Sequence, residues 1–468
     1  MLKQSINRVR GENRLQSGDH HDAIITLTPQ PRPNRLALSI RAACLQASLV
    51  LGLTAPVLAG PEGGQVAGGQ GSISKPDGNT TNIQQQSQRM AIDWDSYNVN
   101  KNETVNYRQP NSSAHALNRI RDRNPSQIYG SINANGRVTL LNSNGIFFGR
   151  SARVNVNSLI AAGHDMSVED FMDGRFEFKT QPGQSAGRVV NRGVLEAATG
   201  GSISLLGGQV SNEGLILANA GQVNLVAGDQ ITMDFHGDGL MRFRVDKEVL
   251  ANAESVDSAV SNSGEIVADG GQVLLSGEAA RDVFSHVVNN EGVVKAGRIE
   301  NRGGKIVLAG SGGSQSSVVN AGTLDASAIP SPSVGEGQDG GDGGSVEILA
   351  DTIEQQGVIR ADSTGGKGGS IKLVADDTNI VSGDAEMTAT ALPSPSQGEG
   401  QDGGGSSDSL PLEREGEGGG EQTSIAGKGG SVHVLGDKVA LLDTSMIDVS
   451  GELGGGEVLV GGDFQGKN

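Results

Sequence analysis

The sequence predicts an all-β protein wound as a parallel β-helix, a solenoid with an amino-terminal β cap and extra-helical hairpins. Three observations support this fold class. A motif of Asn-x-Gly followed by an alternating apolar strand recurs along the chain, short apolar runs are joined by Asn-Gly turns, and glycine is in large excess. The 72 glycines among 468 residues are about twice the ordinary share and follow no collagen triplet. This combination is typical of turn-rich β structure that is stacked in repeats.

The amino terminus is predicted to be a long signal peptide, residues 1–59, and not part of the fold. A basic region precedes an apolar stretch of 17 residues, 42–58, and small residues follow, so the expected cleavage lies between Ala59 and Gly60. A transmembrane helix is the alternative. The apolar stretch is short for a membrane span and contains glutamine, glycine and proline, which favours the signal peptide.

The predicted mature chain carries no cysteine, because the only one, Cys44, lies in the signal peptide. Secreted proteins can use disulfides, so the predicted mature chain must be stable without them. Residues 1–59 have a net charge of +4, so their removal changes the net charge from −18 to −22. Such an acidic chain repels nucleic acid and anionic lipid, so we expect neither as a partner.

The segment 128–160 is predicted to form short strands hinged on tight turns. Asn135-Gly136 precedes one apolar run, and Asn142-Ser143-Asn144-Gly145 precedes another, Ile146-Phe147-Phe148-Gly149. Asparagine and glycine tolerate the positive φ that tight turns demand. Most aromatic residues of the chain lie between positions 94 and 178, so this part can bury a conventional core.

Residues 84–162 resemble the secretion domain of two-partner-secretion exoproteins, the filamentous haemagglutinin family. The segments that carry the resemblance stand in the family's order and spacing: Met90-Ala91-Ile92-Asp93-Trp94, Gln109-Pro110, Ala116-Leu117-Asn118-Arg119-Ile120, 132–136 and 141–149. There are two departures. Ser143 stands where the family usually has proline, and the usual Ser-Thr pair is missing from residues 159–163. Serine can occupy that turn position without enforcing it.

The resemblance implies a right-handed parallel β-helix, in agreement with the general crossover preference. It places a secretion domain over residues 60–310, followed by further coils over residues 311–468. It also implies that a cognate transporter recognises residues of the motif, although the same residues have a structural interpretation as turn formers. These candidates are Asn118, Asn135, Gly136, Asn142, Asn144 and Gly145.

The implied function is that of an exoprotein of a Gram-negative bacterium. The general secretion machinery of the inner membrane would deliver it to the periplasm, and a dedicated outer-membrane transporter would export it. Its final role would be that of a filamentous adhesin or haemagglutinin, secreted or at the cell surface, which meets host or bacterial surface receptors. Two alternatives remain open: the stalk of a contact-dependent toxin or cytolysin whose effector region is missing, and a carbohydrate-active β-helix enzyme.

Beyond residue 188 the chain repeats itself, which predicts the coils of the solenoid. The Asn-x-Gly motif begins at Asn191, Asn212, Asn262, Asn290 and Asn320, with degenerate copies at Gln356-Gly357 and over 448–460. Coils are expected about 4.8 Å apart, with inward residues such as Val223 and Leu225 stacked on their equivalents. Aligned turn asparagines can then form ladders of side-chain amides. The aromatic amino-terminal segment is expected to cap the open end.

Two Pro/Gly/Ser-rich inserts, near 329–342 and 391–422, interrupt the coils and are predicted to be disordered loops. A Gly-x-Gly-x-Asp fragment within them resembles part of a calcium-binding nonapeptide. However, there is no tandem array, and the apolar position of that motif is not filled. We therefore expect no calcium site.

A search for catalytic residues finds no convincing constellation, so we expect no enzyme activity, cofactor or metal. The histidines of the predicted mature chain are isolated and are interpreted as surface or turn residues: His115, His164, His236, His286 and His433. The Gly-Lys-Gly-Gly segments at 366–369 and 427–430 lack the Ser/Thr of a phosphate loop and are interpreted as turns. Asp234, Asp238, Arg242 and Arg244 could serve a polysaccharide lyase, but residues 233–245 are better interpreted as an extra-helical hairpin with a solvated face.

The signal-peptide prediction can be tested by amino-terminal sequencing of secreted material. The sequence is expected to begin at Gly60 or within a few residues of it, because the small residues before that position suit signal peptidase. Recovery of an intact Met1 from the medium would contradict the prediction.

Overall fold

The computed structural model describes residues 60–181, 183–235, 241–251, 256–299, 304–312, 316–329, 341–392 and 427–461. The predicted signal peptide, with Cys44 and Ala59, lies outside the described residues. So does most of the two predicted inserts. At the start of the second one, Ala391–Leu392 is described and forms a short strand that pairs in parallel with Ser363–Thr364.

The strands are short and follow one another closely. The amino-terminal part of the described chain contains β1 (Gln65–Gly68), β2 (Gly71–Ser74), β3 (Thr80–Gln85), β4 (Arg89–Trp94), β5 (Thr104–Arg108), β6 (His115–Ile120), β7 (Ser126–Ile128), β8 (Ser131–Ala134), β9 (Arg137–Leu141), β10 (Ile146–Phe148), β11 (Arg153–Ala162), the helix α1 (Val168–Asp173) and β12 (Phe176–Lys179). The middle part contains β13 (Arg188–Asn191), β14 (Val194–Gly207), β15 (Gln209–Asn212), β16 (Leu215–Leu217), β17 (Gln222–Ala227), β18 (Gln230–Phe235), β19 (Met241–Lys247), β20 (Ser258–Asn262), β21 (Glu265–Val267), β22 (Gln272–Glu278), β23 (His286–Asn290), β24 (Val293–Lys295), β25 (Lys305–Ser311), β26 (Ser317–Asn320) and β27 (Thr323–Asp325). The carboxyl-terminal part contains β28 (Ser345–Gln355), β29 (Val358–Arg360), β30 (Ser363–Thr364), β31 (Ser370–Val381), β32 (Glu386–Thr388), β33 (Ala391–Leu392), β34 (Ser431–Leu435), β35 (Lys438–Leu441), β36 (Met446–Asp448) and β37 (Glu457–Val460).

Strands of successive coils pair in parallel and form three columns. The first column runs through β4, β6, β9, β11, β14, β17, β22, β25, β28 and β31. The second runs through β13, β15, β20, β23, β26 and the end of β28. The third runs through β16, β21, β24, β27 and β29. Val223 pairs with Val273 and Leu225 with Leu275, and both Val223 and Leu225 are fully buried, as predicted. The predicted fold class, a parallel β-helix with a β cap and extra-helical hairpins, is confirmed.

The amino-terminal end of the stack carries an antiparallel cap. β1 pairs with β4 and β2 with β3 in antiparallel fashion, whereas β3 and β4 pair in parallel with strands of the next coil. Aromatic side chains fill the interior of these first coils. Trp94 and Tyr97 meet edge to face with their ring centroids 5.5 Å apart, and the hydroxyls of Tyr97 and Tyr107 are hydrogen-bonded at 2.8 Å. The cap covers strand edges that would otherwise invite edge-to-edge pairing.

A ladder of buried side-chain amides runs along the second column, as the Asn-x-Gly motif predicts. Each amide except the last donates to the next along the stack, with N–O distances of 2.7 to 2.9 Å: Asn191, Asn212, Asn262, Asn290, Asn320 and Gln355. All six side chains are essentially inaccessible to solvent. The ladder ends there, because Val381 follows Gln355 in register. The degenerate repeat over 448–460 therefore adds a coil but no rung.

Two columns of glycine accompany the strands, and close backbone approach explains them. A Cβ placed on Gly264 would lie 2.2 Å from the carbonyl oxygen of Gly214, and one on Gly292 would lie 2.2 Å from that of Gly264. The same contact recurs at a second corner, where a Cβ on Gly271 would lie 2.2 Å from the oxygen of Gly221. Side chains cannot fit between coils at these corners, which accounts for part of the glycine excess.

A second, smaller sheet covers the outer face of the first column. β12, β18 and β19 form this antiparallel sheet, and α1 precedes it, capped by Ser167 Oγ, which accepts from the Asp170 amide at 3.0 Å. Ile231 and Met233 of β18 are buried against outward residues of the coils such as Leu206. The predicted extra-helical hairpin with a solvated face is present, and Arg242 and Arg244 lie on that face. One face of it packs on the coils, because residues of β14 and β17 are apolar on both faces.

The amide ladder predicts a specific stability effect. Asn262→Ala removes a central rung, so the amide of Asn212 loses its acceptor and the oxygen of Asn290 loses its donor in a dry interior. The free energy of unfolding is expected to fall by about 1–3 kcal/mol for each buried group left unsatisfied. Asn289→Ala, which lies next to the following rung, Asn290, and faces outward, is the matched control. Equal losses in denaturant melts of the two variants would refute a role for the ladder.

Candidate functional site

The turn Asn142–Gly145, at the corner before β10, is held by one asparagine side chain. Asn142 Oδ1 accepts from the Asn144 amide at 2.9 Å, while its Nδ2 donates to the Asn124 carbonyl and to Ser126 Oγ, both at 3.0 Å. The Gly145 amide closes the turn on the Asn142 carbonyl at 2.8 Å, and Gly145 has a φ of 109°. Asn142 is fully buried. The turn therefore forms with serine at its second position.

Asn135 performs a similar task at the corner between β8 and β9. Its side chain accepts from the Gln109 amide and donates to the Gln109 carbonyl, both at 2.8 Å, and so clips one coil to the next. Gly136 is needed for close approach, since a Cβ there would lie 2.7 Å from the carbonyl oxygen of Ala114. Asn135 itself stays exposed.

Asn118 corrects the turn interpretation, because it lies in the middle of β6 and points into the core. Its Oδ1 accepts from Trp94 Nε1 at 3.0 Å and from the Tyr107 hydroxyl at 2.9 Å, and its Nδ2 donates to the Thr139 carbonyl at 3.1 Å. It is completely buried. A strand residue was mistaken for a turn former because the neighbouring motifs end in Asn-Gly, whereas this one satisfies the polar atoms of buried aromatics.

The six motif residues are therefore not gathered into one patch. They occupy two corners and the interior, and each side-chain amide is used within the chain. Asn135 and Asn144 remain exposed, and Asn144 Nδ2 also donates to the Asp122 carbonyl at 2.8 Å. On the folded surface, a partner can reach these two side chains, while Asn118 and Asn142 act through the fold.

The surface interpretation of two histidines is wrong. His115 and His164 are buried, with His115 between Phe171 and Phe176 under the second sheet and His164 Nε2 hydrogen-bonded to the Gly228 carbonyl at 3.0 Å. Burial lowers the pKa of His115 to about 3 and that of His164 to about 4. Because folding lowers these pKa values, their contribution to stability is present above about pH 6.5 and is lost as the pH falls. The sequence around each histidine does not indicate this burial, because the strands of the covering sheet lie elsewhere in the chain.

A groove of about 560 Å³ lies where the second sheet meets the coils. Its floor follows one position of the first column from coil to coil: Arg89, His115, Arg137, Ser158, Ser202 and Gln222. Phe176 and Met241 of the second sheet form the opposite wall. Sequence reasoning missed this site, since its residues are 20 or more positions apart and meet only through the register of the coils.

The other candidate sites, a metal site and a lyase site, are not formed by the described residues. No group of three or more His, Cys, Asp or Glu side chains there is placed to hold a metal. Asp234 and Arg242 are cross-strand partners in the hairpin, Arg244 Nε pairs with Asp246 at 2.6 Å, and Asp238 lies outside the described residues. Nor does the described part of the chain contain a helix long and apolar enough to cross a membrane.

Comparison with known proteins places this architecture among secretion domains. The family model described as the TPS secretion domain matches residues 60–325, more than half of the chain. Two curated relatives from Haemophilus influenzae, both named heme/hemopexin-binding protein, are 32% identical over 256 residues and 26% identical over 261 residues. These matches cover 53% and 51% of this chain and 27% of each relative. The chain thus spans about a quarter of the length of the curated relatives it matches.

A solved structure shows the same fold. The crystal structure of the HMW1 secretion domain from Haemophilus influenzae aligns with a TM-score of 0.61 at 23% identity. The alignment covers 86% of this chain and all of that one. At 23% identity this similarity supports the β-helix fold, and function must be argued from other observations.

Two asparagine variants separate folding from surface recognition at the Asn142–Gly145 turn. Asn142→Ala leaves a buried corner without its three side-chain hydrogen bonds, so a loss of about 1–3 kcal/mol of unfolding free energy is expected. Asn144→Ala removes an exposed amide and should cost about 1 kcal/mol or less. Melting of the purified chain and the secreted amount are measured for both. A loss of export by Asn144→Ala with unchanged melting supports recognition, parallel losses support folding, and full secretion of this variant contradicts both roles.

Proposed function

The chain belongs to the TPS secretion domain family, and we propose that it is an exoprotein exported across the outer membrane of a Gram-negative bacterium by a dedicated partner transporter. The general secretion machinery and cleavage after Ala59 would bring it to the periplasm. Its final role is that of a filamentous adhesin without enzyme activity, facing host or bacterial surface receptors.

The observation that supports this proposal is that each coil packs on the coil before it, so the fold can be built up one coil at a time. Interior residues such as Val223 and Leu225 are covered by the coils before and after their own, so one coil alone cannot bury them. The aromatic first coils under the cap can form earlier, because they hold a core with its own polar network around Asn118. A chain that folds from its amino-terminal end as it emerges suits export through a narrow transporter.

Each coil that forms outside the cell opposes backward movement of the chain. Burial of apolar surface stabilises the folded coil by about 25 cal/mol per Å². The outer membrane offers no ATP, so this folding free energy is the drive we assign to export. Among the motif asparagines, we assign transporter recognition to Asn135 and Asn144, because their side chains are exposed whereas those of Asn118 and Asn142 are buried.

A binding role is the second candidate, favoured by the two relatives whose printed name is heme/hemopexin-binding protein. The adhesin and the binding protein share secretion and differ in the ligand met outside the cell. Both are preferred over the carbohydrate-active enzyme, since Asp234 and Arg242 are cross-strand partners in a hairpin and are not among the residues that line the groove.

Export driven by folding predicts where a defective chain stops. In a double variant, Val223→Asp and Leu225→Asp place two unpaired charges in the stack, which should halt folding at that coil. Protease mapping on intact cells is expected to find material exposed only up to about that coil. Ser276→Asp with Val307→Asp, at outward positions of later coils, is the matched control and should be exported normally. Release of the inward variant at full length and normal rate would rule out folding as the drive.

A further inference from the structure

The groove beside the second sheet is positively charged in an acidic protein. Arg89 and Arg137 line it, and no Asp or Glu is among the described residues that do so. The whole chain has a net charge of −18, so a lining with guanidiniums and no carboxylate departs from the rest of the molecule. Its volume, about 560 Å³, lies within the usual range for ligand sites. Such a groove attracts anions.

The two arginines are held in place by the fold. Arg89 Nη1 donates to the Met172 carbonyl at 2.7 Å, at the end of α1, which uses one of the five N–H donors of the guanidinium. Arg137 lies two coils further along the stack and is half-buried. Burial lowers its pKa without removing its charge. His115 lies between them in register and stays neutral, because its pKa is about 3. The positive charge of the groove therefore belongs to the arginines.

The remaining lining offers neutral hydrogen-bonding groups. Gln88 and Ser113 stand exposed at the rim, and Ser158 lies half-buried on the floor. Gly201 allows two coils to approach at the floor, since a Cβ there would lie 1.9 Å from the carbonyl oxygen of Asn157. Phe176 adds an apolar wall. Hydroxyl and amide groups beside two guanidiniums suit a ligand that carries both hydroxyls and carboxylates.

An extended acidic peptide fits this groove less well. A peptide that adds to a sheet needs free backbone donors and acceptors at a strand edge. The floor here is the face of strands such as β6, β9 and β11, and these strands are paired with one another by their backbones. Recognition must therefore come from side chains, which follow one another about every 4.8 Å along the stack.

We propose that this groove binds an acidic oligosaccharide, with its carboxylates on the guanidiniums of Arg89 and Arg137 and its hydroxyls on the serine and glutamine side chains. The site lies within the secretion domain itself. It goes beyond the proposed export function, because ligand binding requires only the folded coils.

Calorimetric titration of the full chain tests the proposal with three probes: trigalacturonic acid, its methyl ester and hexaglutamate. Trigalacturonic acid is expected to bind at least about tenfold more tightly than the neutral ester, because the ester lacks the charge-assisted hydrogen bonds. Equal binding of acid and ester, tighter binding of hexaglutamate, or no binding of the acid at millimolar concentration would each overturn the proposal.

Two variants locate the site. Arg137→Gln should weaken binding of the acid by about tenfold or more, whereas Arg153→Gln, exposed outside the groove, should leave it unchanged. Ser113→Glu, at the exposed rim, adds a repelling carboxylate without touching the core and should also weaken binding. Unchanged affinity in both groove variants would refute the assignment. Secretion of the same variants is measured in parallel and should be normal, so a failure here is distinguishable from a failure of the export proposal.

Discussion

Successive coils can stack only where their backbones keep one register at the spacing of a parallel sheet, and most features of this molecule follow from that constraint. Parallel pairing aligns each position with its equivalent on the next coil, so any residue type repeated at the coil period forms a column. Valine and leucine columns fill the interior, and the asparagines from Asn191 to Asn320 join into a hydrogen-bonded ladder. Glycine is required at two corners because the carbonyl of the preceding coil occupies the space of a side chain. In this chain the stacking of coils provides the hydrogen-bond partners for the buried side-chain amides.

The same constraint makes the two ends and the sides of the stack different from its interior. At the amino-terminal end, antiparallel strands and an aromatic core replace the small stacked side chains, and Asn118 satisfies the polar atoms of Trp94 and Tyr107 there. On one side, the sheet of β12, β18 and β19 covers apolar residues of the first column and creates a second core around Phe178. The groove lies where that cover meets the polar row of the column, which contains Arg89, His115, Arg137, Ser158, Ser202 and Gln222.

The residues of the secretion motif divide by burial. Asn142 and Asn118 are buried, and their side chains are hydrogen-bonded within the chain. Asn135 links two coils by hydrogen bonds and remains exposed. These residues therefore hold the corners and the interior of the first coils, whatever part Asn135 and Asn144 play in transport. A serine in place of the family's usual proline is tolerated because Asn142, through its side chain, holds the turn.

Local sequence by itself determined the class of fold, the columns and the ladder. Asn-x-Gly repeats, alternating strands and Asn-Gly turns are each defined by a few neighbouring residues. They recur once per coil, so stacking alone aligns them into columns. The sequence also indicated the hairpin over residues 233–245. Only the tertiary structure decided which surface that hairpin covers, and therefore that His115 and His164 are buried and that Arg89 and Arg137 meet in one groove. These contacts join residues from different coils and from an insertion between them. Their proximity depends on register and on packing of one sheet against another, which no local pattern of residues encodes.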